Sequence, residues 1–153
     1  MAQYKAAGLN NGNPNGFMHD HGNAWTADDT TTPSAALALN DTIDLLLVPG
    51  GVRLQRLFKF SGDFDTGTTL QYKLGYRKVN PSGVIADVDN YFGSTLTDLQ
   101  AAVTGAAVTN YVFAPIQFAE DVFITLTVTA AATGVSGTPA ITMFGHGQTV
   151  GIK

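Results

Sequence analysis

The chain has 153 residues and a mass of 16.0 kDa, with 44% hydrophobic and 13% charged residues, so it can form one hydrophobic core and carries half the usual charged fraction. Twelve acidic residues against eight basic ones give a formal net charge of −4, which argues against a general electrostatic attraction to nucleic acid or to an anionic membrane. The absence of cysteine excludes a disulfide framework, a thiolate zinc site and a cysteine nucleophile.

Two further features of the composition narrow the class of protein. No apolar run approaches the roughly 20 residues of a membrane span, and the first residues lack the plan of a signal peptide, so we expect a soluble, non-secreted chain. Threonine occurs nineteen times, whereas Glu120 is the single glutamate. Because β-branched residues favour strands and strong helix formers are scarce, this composition indicates a β-protein.

Residues 1–41 are predicted to form an extended N-terminal arm. The range is rich in Gly, Asn, Asp and Thr and has no sustained period of 2 or 3.6, so it buries too little apolar surface to become ordered alone. Isolated bulky side chains are spaced along it, as suits an arm that docks at several points on another surface. The predicted partner-binding anchors of this arm are Tyr4, Leu9, Phe17, Met18 and Trp25.

From residue 42 to residue 153 the pattern predicts a β-sandwich domain. Residues 42–48 form a short apolar strand that ends at a Pro-Gly-Gly turn. In the next strand, residues 52–60, hydrophobic and polar side chains alternate with Val52, Leu54, Phe58 and Phe60 on one face. Arg56 and Leu57 break this alternation, which predicts a bulge or a buried ion pair.

The remaining elements follow from the same reasoning. Residues 70–77 alternate cleanly, as in a half-buried strand, and a weaker strand is predicted at 84–87. Residues 94–103 are predicted to form one short helix, because a Ser-Thr cap precedes apolar residues at helical spacing. Strands are also predicted at 107–118, 121–130 and 140–144. The chain is therefore predicted to be all-β, an antiparallel sandwich of the jelly-roll type with an N-terminal arm and one short helix.

The basic residues are unevenly distributed. Six of the eight fall in the two successive strands at 52–60 and 70–78. If these strands pair, they present one basic face that would meet an acidic partner surface, including the arm of a neighbouring copy. The predicted residues of this face are Arg53, Lys59, Lys73 and Arg77. Solvated charge on an exposed sheet is an equally weighted alternative.

No cluster in the sequence predicts a catalytic, metal or cofactor site. His19 and His21 would point the same way from an extended segment, but two ligands do not complete a zinc site. Residues 62–67 carry alternate Asp residues as a calcium loop does, without the bidentate acid at its end, so turn-forming Asp side chains are expected. Motifs for nucleophilic, phosphate or dinucleotide chemistry are missing. We therefore expect no enzyme activity, no metal and no cofactor.

Residues 45–54, 61–65 and 70–76 resemble the small head proteins of tailed bacteriophages known as cement or decoration proteins. The likeness consists of an apolar strand, a Pro-Gly turn, an Asp-x-Asp loop and a strand that carries Gly-Tyr, and it covers about residues 40–80. The resemblance implies a β-sandwich or jelly-roll body and no catalytic residues. It also implies a place on the outside of the assembled capsid, at symmetry axes between major capsid subunits.

Pattern and resemblance together predict a non-enzymatic virion protein that binds the outer capsid surface and stabilises contacts between major capsid subunits. Its expected partners are the major capsid protein and further copies of itself, as a homotrimer or homodimer, with no nucleic acid and no membrane. The closest alternative is a structural protein of the phage tail, collar or fibre base. A carbohydrate-binding or glycan-cleaving sandwich would instead line a groove with aromatic residues, drawn from Trp25, Tyr72, Tyr76, Tyr91 and Tyr111.

Overall fold

A computed structural model describes residues 3–5, 23–101, 108–135 and 137–151, with the side chains of Tyr4 and Lys5 excepted. Within these residues ten β-strands form two sheets that enclose one core. The strands are β1 Gln3–Lys5, β2 Ala24–Thr31, β3 Thr42–Val48, β4 Val52–Ser61, β5 Gln71–Lys78, β6 Val88–Leu96, β7 Thr109–Tyr111, β8 Ile116–Gln117, β9 Val122–Ala130 and β10 Ile141–Thr149.

The strand order identifies the sandwich as a jelly roll. The first sheet has the order β1-β3-β9-β5-β6, and the second has the order β2-β10-β4-β7, with β8 also paired to β4. All pairings are antiparallel except that of β1 with β3. From β2 onward, with β7 and β8 counted as one interrupted strand, the chain changes sheet at every step except between β5 and β6. Eight strands connected in this way form two Greek keys, so the predicted all-β jelly-roll sandwich is confirmed.

The short helix predicted at 94–103 is wrong. Its first residues belong to β6, where Leu96 pairs with Tyr72, and residues 98–101 form turns and bends. Leu99 is fully buried from within this turn. Pairing with β5 and burial of Leu99 therefore outweigh the helical spacing of the apolar residues. Residues 102 and 103 lie outside the described part of the chain.

Two predicted strands also differ from the structure. Residues 84–87 form no strand; residues 84 and 85 form a bend ahead of β6. The long strand predicted at 107–118 is reduced to the short strands β7 and β8. Its predicted core-facing residue Val112 is 96% exposed, because the neighbouring Tyr111 is the residue that turns into the core.

A bulge in β4 changes which of its side chains face the core. Residues 54–56 oppose only residues 146–147 of β10, so Gln55 is the extra residue. Beyond the bulge the core-facing residues are Leu57, Lys59 and Ser61. The residues that face outward are Phe58 and Phe60. The irregularity predicted at Arg56 is thus a bulge, and it moves the two phenylalanines out of the core.

Two strands lie within the range predicted as an arm, and both pair with the body of this chain. β1 adds to the edge of β3, and β2 pairs with β10 from Ala24 to Thr31. The Trp25 ring is 2% exposed and fills the space above Gly145, where an added Cβ would lie 2.9 Å from it. Trp25 is therefore a core residue of its own chain. Residues 6–22, with Leu9, Phe17 and Met18, lie outside the described residues.

A close approach between β5 and β6 requires glycine at position 75. A Cβ there would lie 2.0 Å from the Val88 carbonyl oxygen and 2.4 Å from the Asp89 carbonyl carbon. We expect Gly75→Ala to lower the free energy of unfolding by about 1–3 kcal/mol, because the β6 backbone has to move. Gly134→Ala is the control, since its nearest heavy atom is the Thr66 hydroxyl at 3.1 Å. Urea unfolding measures both, and equal losses would contradict the role of the close approach.

Candidate functional site

A buried polar cluster, here called the Lys59 cluster, lies in the core between the two sheets. Lys59 of β4 is 0% exposed, and its ammonium lies 2.9 Å from Asp98 Oδ2 and donates to Ser61 Oγ at 3.0 Å. The Tyr72 hydroxyl donates to Asp98 Oδ1 at 2.5 Å and lies 2.9 Å from the Tyr111 hydroxyl. The cluster therefore joins β4, β5, β7 and the turn after β6.

The environment sets the protonation states of these groups. Burial lowers the pKa of Lys59, and the Asp98 carboxylate partly opposes this effect. Burial by itself would raise the pKa of Asp98, but Lys59 and the Tyr72 hydrogen bond outweigh it and hold the pKa below its ordinary value. Burial also raises the pKa of Tyr72 and of Tyr111, so both hydroxyls keep their protons. The cluster is an internally paired structural element.

A second cluster, here called the Asp44 cluster, lies on the outer face of the first sheet at the β3 edge. The Asp44 carboxylate is 0% exposed and accepts bonds from Arg77 Nε at 2.8 Å, Thr125 Oγ1 at 3.0 Å and Gln3 Nε2 at 3.1 Å. The guanidinium of Arg77 also lies over the Phe123 ring, 5.0 Å from its centre. The bond to Asp44 raises the pKa of Arg77. The two charges therefore hold β3, β5 and β9 together and fix the position of the N-terminal strand.

The four residues predicted to make one basic face do not share a surface. The prediction required β4 and β5 to pair, and they belong to different sheets. Arg53 is exposed on the second sheet, and Lys59 is buried in the core because the β4 bulge turns it inward. Lys73 lies 3.1 Å from Asp89 on the first sheet, and Arg77 belongs to the Asp44 cluster. Three of the four residues, Lys59, Lys73 and Arg77, therefore pair with acidic residues of the same chain, and the expected basic face does not form.

Three phenylalanine rings form a patch on the outer face of the second sheet, here called the aromatic patch. Phe58 of β4 and Phe144 of β10 are direct cross-strand partners and stack with ring centres 5.0 Å apart and 6° between their planes. Phe60 meets Phe144 edge-on with centres 5.7 Å apart. All three rings are partly exposed, on the two central strands of the sheet. Strict alternation along β4, without the bulge, places Phe58 and Phe60 on the core face, so the sequence pattern does not predict this patch.

The Asp-rich loop after β4 is organised around one carboxylate. Asp65 is buried and accepts bonds from four backbone N–H groups, those of Gly67 at 3.0 Å, Thr69 at 2.7 Å, Leu70 at 2.7 Å and Thr133 at 2.8 Å. Burial opposes ionisation of Asp65, but these bonds outweigh it and hold its pKa well below the ordinary value. The side chain therefore organises a turn, as the alternate Asp residues predicted.

The geometry bears on the metal and glycan alternatives as well. In the ranges that the structure describes, no group of three or more His, Asp or Glu side chains is placed to hold a metal ion, and His19 and His21 lie outside these ranges. Trp25, Tyr72 and Tyr111 are buried, so they do not line a groove that would bind a glycan. Of the other two aromatic residues of this alternative, Tyr76 is 8% exposed and Tyr91 is 36% exposed. Among the described residues no helix is long and apolar enough to span a membrane.

Comparison with known proteins gives structural neighbours. No family model matches the sequence, and no curated protein has a significantly similar sequence. A chain from the structure "Capsid of Ralstonia phage GP4" matches with a TM-score of 0.72 and 19% identity, over 96% of this chain and 98% of that one. A chain from the acid-stable capsid of Helicobacter pylori bacteriophage KHP30 matches with a TM-score of 0.55 and 14% identity, over 83% of this chain and 89% of that one.

A third neighbour comes from the capsid asymmetric unit of cyanophage Pam1. It has a TM-score of 0.55 and 17% identity, over 84% of this chain and 88% of that one. At these identities the likeness shows a shared fold. In each pair the match spans most of both chains, so the likeness covers the whole sandwich and not a single motif.

Proposed function

We propose that the chain is a non-enzymatic structural protein of a bacteriophage virion, which binds the outer surface of the assembled capsid and stabilises the contacts between major capsid subunits. The observation that carries this proposal is the near end-to-end likeness to the chain in the Ralstonia phage GP4 capsid, over 96% and 98% of the two lengths. The resemblance of residues 40–80 to cement and decoration proteins supports the same role. The jelly roll formed by the described residues suits an auxiliary subunit of a shell.

The buried polar groups support a structural role over a catalytic one. A catalytic acid or base needs access to substrate, in a cleft that leaves its functional atoms unengaged. In the described part of the chain, the carboxylates of Asp44, Asp65 and Asp98 each accept hydrogen bonds from partners within the fold. These groups therefore stabilise the sandwich and leave no unpaired acid or base among themselves.

The aromatic patch is the surface we assign to capsid attachment. Aromatic side chains are enriched at the centres of protein interfaces, where they supply most of the binding energy. The patch is rigid, because it stands on the two central strands of a sheet, and it presents stacked rings to solvent at little conformational cost. The arm residues Tyr4, Leu9, Phe17 and Met18 remain predicted as further partner contacts.

The function is tested by adding the purified chain to capsids of its phage from which the protein is missing. We expect saturable binding, measured by sedimentation and gel densitometry, and extra density on the outside of the shell in electron cryomicroscopy. Density restricted to the tail, collar or fibre base would favour the alternative structural role. Absence of binding to heads and tails alike would overturn the proposal.

Replacing Phe144 tests the attachment surface. Truncation of a central aromatic anchor costs about 2 kcal/mol, so Phe144→Ala is expected to weaken attachment about 30-fold. Gln148→Ala is the matched control, because Gln148 is exposed on the same face of the same strand. Circular dichroism would verify that both variants are folded. Wild-type occupancy for Phe144→Ala would place attachment elsewhere.

A further inference from the structure

Strand β1 is an addition to a fold that is complete without it. The eight-strand jelly roll runs from β2 to β10, and β1 joins its edge as a parallel strand in an otherwise antiparallel sandwich. The pairing covers three residues, with Gln3 opposite Thr42, Tyr4 opposite Ile43 and Lys5 opposite Asp44. The β3 edge is thus a place where a short extended segment adds to the sheet through its backbone.

The body of the chain prepares the receiving site for this strand. Asp44 is held by Thr125 of the neighbouring strand β9 and by Arg77 of β5, the next strand in the sheet, so its carboxylate is fixed before β1 arrives. Gln3 then donates its side-chain amide to Asp44 Oδ2 at 3.1 Å. A strand that docks here is recognised in two ways. Its backbone pairs with the β3 edge, and its Gln3 side chain supplies one amide donor to Asp44.

The segment that links β1 to β2 is much longer than it needs to be if β1 pairs with the β3 edge of its own chain. Lys5 is level with Asp44, and Asn23 lies at the far end of the sandwich, where its carbonyl accepts a bond from Thr149 N–H at 2.7 Å. Along the strand direction the two levels are four residues of β3 apart, which is about 13 Å. The two sheets lie about 10 Å apart, so the direct distance from Lys5 to Asn23 is about 17 Å. Five or six extended residues cover this distance.

The link consists of residues 6–22, which are 17 residues. Fully extended, a link of this length reaches about 55–60 Å. A domain of this size has a radius of gyration of about 15 Å and a diameter of about 40 Å. The link is therefore long enough to carry β1 past its own body to the equivalent edge of an adjacent subunit.

We propose that the β3 edge accepts strand β1 of a second copy of the chain, so that neighbouring subunits in the assembled protein exchange their N-terminal strands. The exchange keeps every β1 contact, since the same backbone pairs and the same Gln3–Asp44 bond form between copies, and such swaps are a low-cost route to oligomers. This inference does not depend on capsid attachment, because exchange is a property of the purified chain.

The experiment uses cysteine pairs, for which the chain supplies a clean background because it has no native cysteine. Gln3 and Thr42 are Cα partners, and neighbouring strands lie about 4.8 Å apart, which is within the range that a disulfide spans. The single variants Gln3→Cys and Thr42→Cys are co-expressed, purified together and oxidised. We expect a disulfide-linked dimer that contains one chain of each variant on a non-reducing gel.

The control pairs Gln3→Cys with Asn110→Cys, an exposed position on the second sheet, and we expect at least ten-fold less cross-linked dimer from this pair. Equal yields from the two pairs would mean random collision and would overturn the proposal.

In the double variant Gln3→Cys/Thr42→Cys, exchange predicts covalent oligomers. A monomer with an internal disulfide, together with no dimer from the co-expressed single variants, would show that β1 pairs with its own body and would also overturn it. Failure here leaves the capsid-binding experiment unaffected, so the two proposals fail independently.

Discussion

Replacement of Asp98 by alanine is expected to destabilise the chain by about 3–5 kcal/mol, because it leaves the ammonium of Lys59 buried without its counter-charge. Lys59 is 0% exposed and its ammonium lies 2.9 Å from Asp98 Oδ2, so the ammonium has no solvent contact of its own in the folded chain. The Tyr72 hydroxyl loses its acceptor in the same variant. A loss of this size lowers the melting temperature by about 6–20 °C in a domain of this length.

The opposite truncation is expected to cost less. Lys59→Met keeps most of the side-chain volume and removes the buried cation. The Asp98 side chain that remains is 26% exposed and still accepts the Tyr72 bond, so water solvates part of its charge. We expect a loss of about 1–2 kcal/mol. The double variant Lys59→Met/Asp98→Ala should be more stable than Asp98→Ala alone, since it contains no unpaired buried charge.

Urea unfolding of the four chains at neutral pH forms a double-mutant cycle that isolates the coupling between Lys59 and Asp98. If Lys59 and Asp98 form a stabilising pair, we expect a coupling energy well above 1 kcal/mol. We also expect a larger loss of unfolding free energy for Asp98→Ala than for Lys59→Met. A loss below 1 kcal/mol for Asp98→Ala, with additive effects in the double variant, would mean that the ion pair contributes nothing to the fold.

The sequence predicts best the strands that bury one face against the opposite sheet. In β9 the alternate residues Val122, Ile124, Leu126 and Val128 are all buried, as period-2 alternation requires. The alternation in β5 also reappears in the structure. The jelly-roll class follows from the number and spacing of such strands, because short strands with turns between them have few compact arrangements.

The β4 strand shows why alternation alone assigns several side chains to the wrong face of the sheet. A one-residue slip moves every following side chain to the other face of the sheet. The bulge at Gln55 produces this slip, so Lys59 enters the core and Phe58 leaves it. The break at Arg56 and Leu57 was the available signal, and restarting the alternation at Leu57 would have found the aromatic patch.

The sequence does not predict which sheet each strand joins, and it does not predict that polar residues of β2 face the core. The two failures have different reasons. Consecutive strands usually pair, but the jelly roll sends β4 and β5 to different sheets, and nothing local in the sequence records this choice. The inward positions of β2 are Trp25, Ala27, Asp29 and Thr31. Because two of these four are polar, the sequence of β2 shows no hydrophobic period and predicts part of an arm.

Asp65 carries the largest number of hydrogen bonds in its loop, and its removal is expected to unfold the loop. Asp65→Ala leaves four backbone N–H groups without their acceptor. Unsatisfied buried donors and lost charge-assisted bonds together are expected to cost about 4 kcal/mol. Asp63→Ala is the matched control, because Asp63 accepts one described bond, from Asp65 N–H at 3.0 Å, and should cost at most about 1 kcal/mol. Similar losses in urea unfolding would contradict the role of Asp65.

The same carboxylate is expected to make the fold sensitive to acid. Its backbone hydrogen bonds, which outweigh the effect of burial, hold the pKa of Asp65 well below its ordinary value, so the folded chain ionises this group more readily than the unfolded chain. The resulting stability is complete above the unfolded-state pKa of about 3.9 and is lost as the pH falls below it toward the folded-state pKa. Asp65→Asn has no charge to lose at this position. The difference in unfolding free energy between wild type and Asp65→Asn should therefore be largest near pH 7 and should narrow as the pH is lowered from about 5 to about 2. Urea unfolding at a series of pH values measures it, and a difference that stays constant down to pH 2 would show that the ionised carboxylate is not what holds the loop.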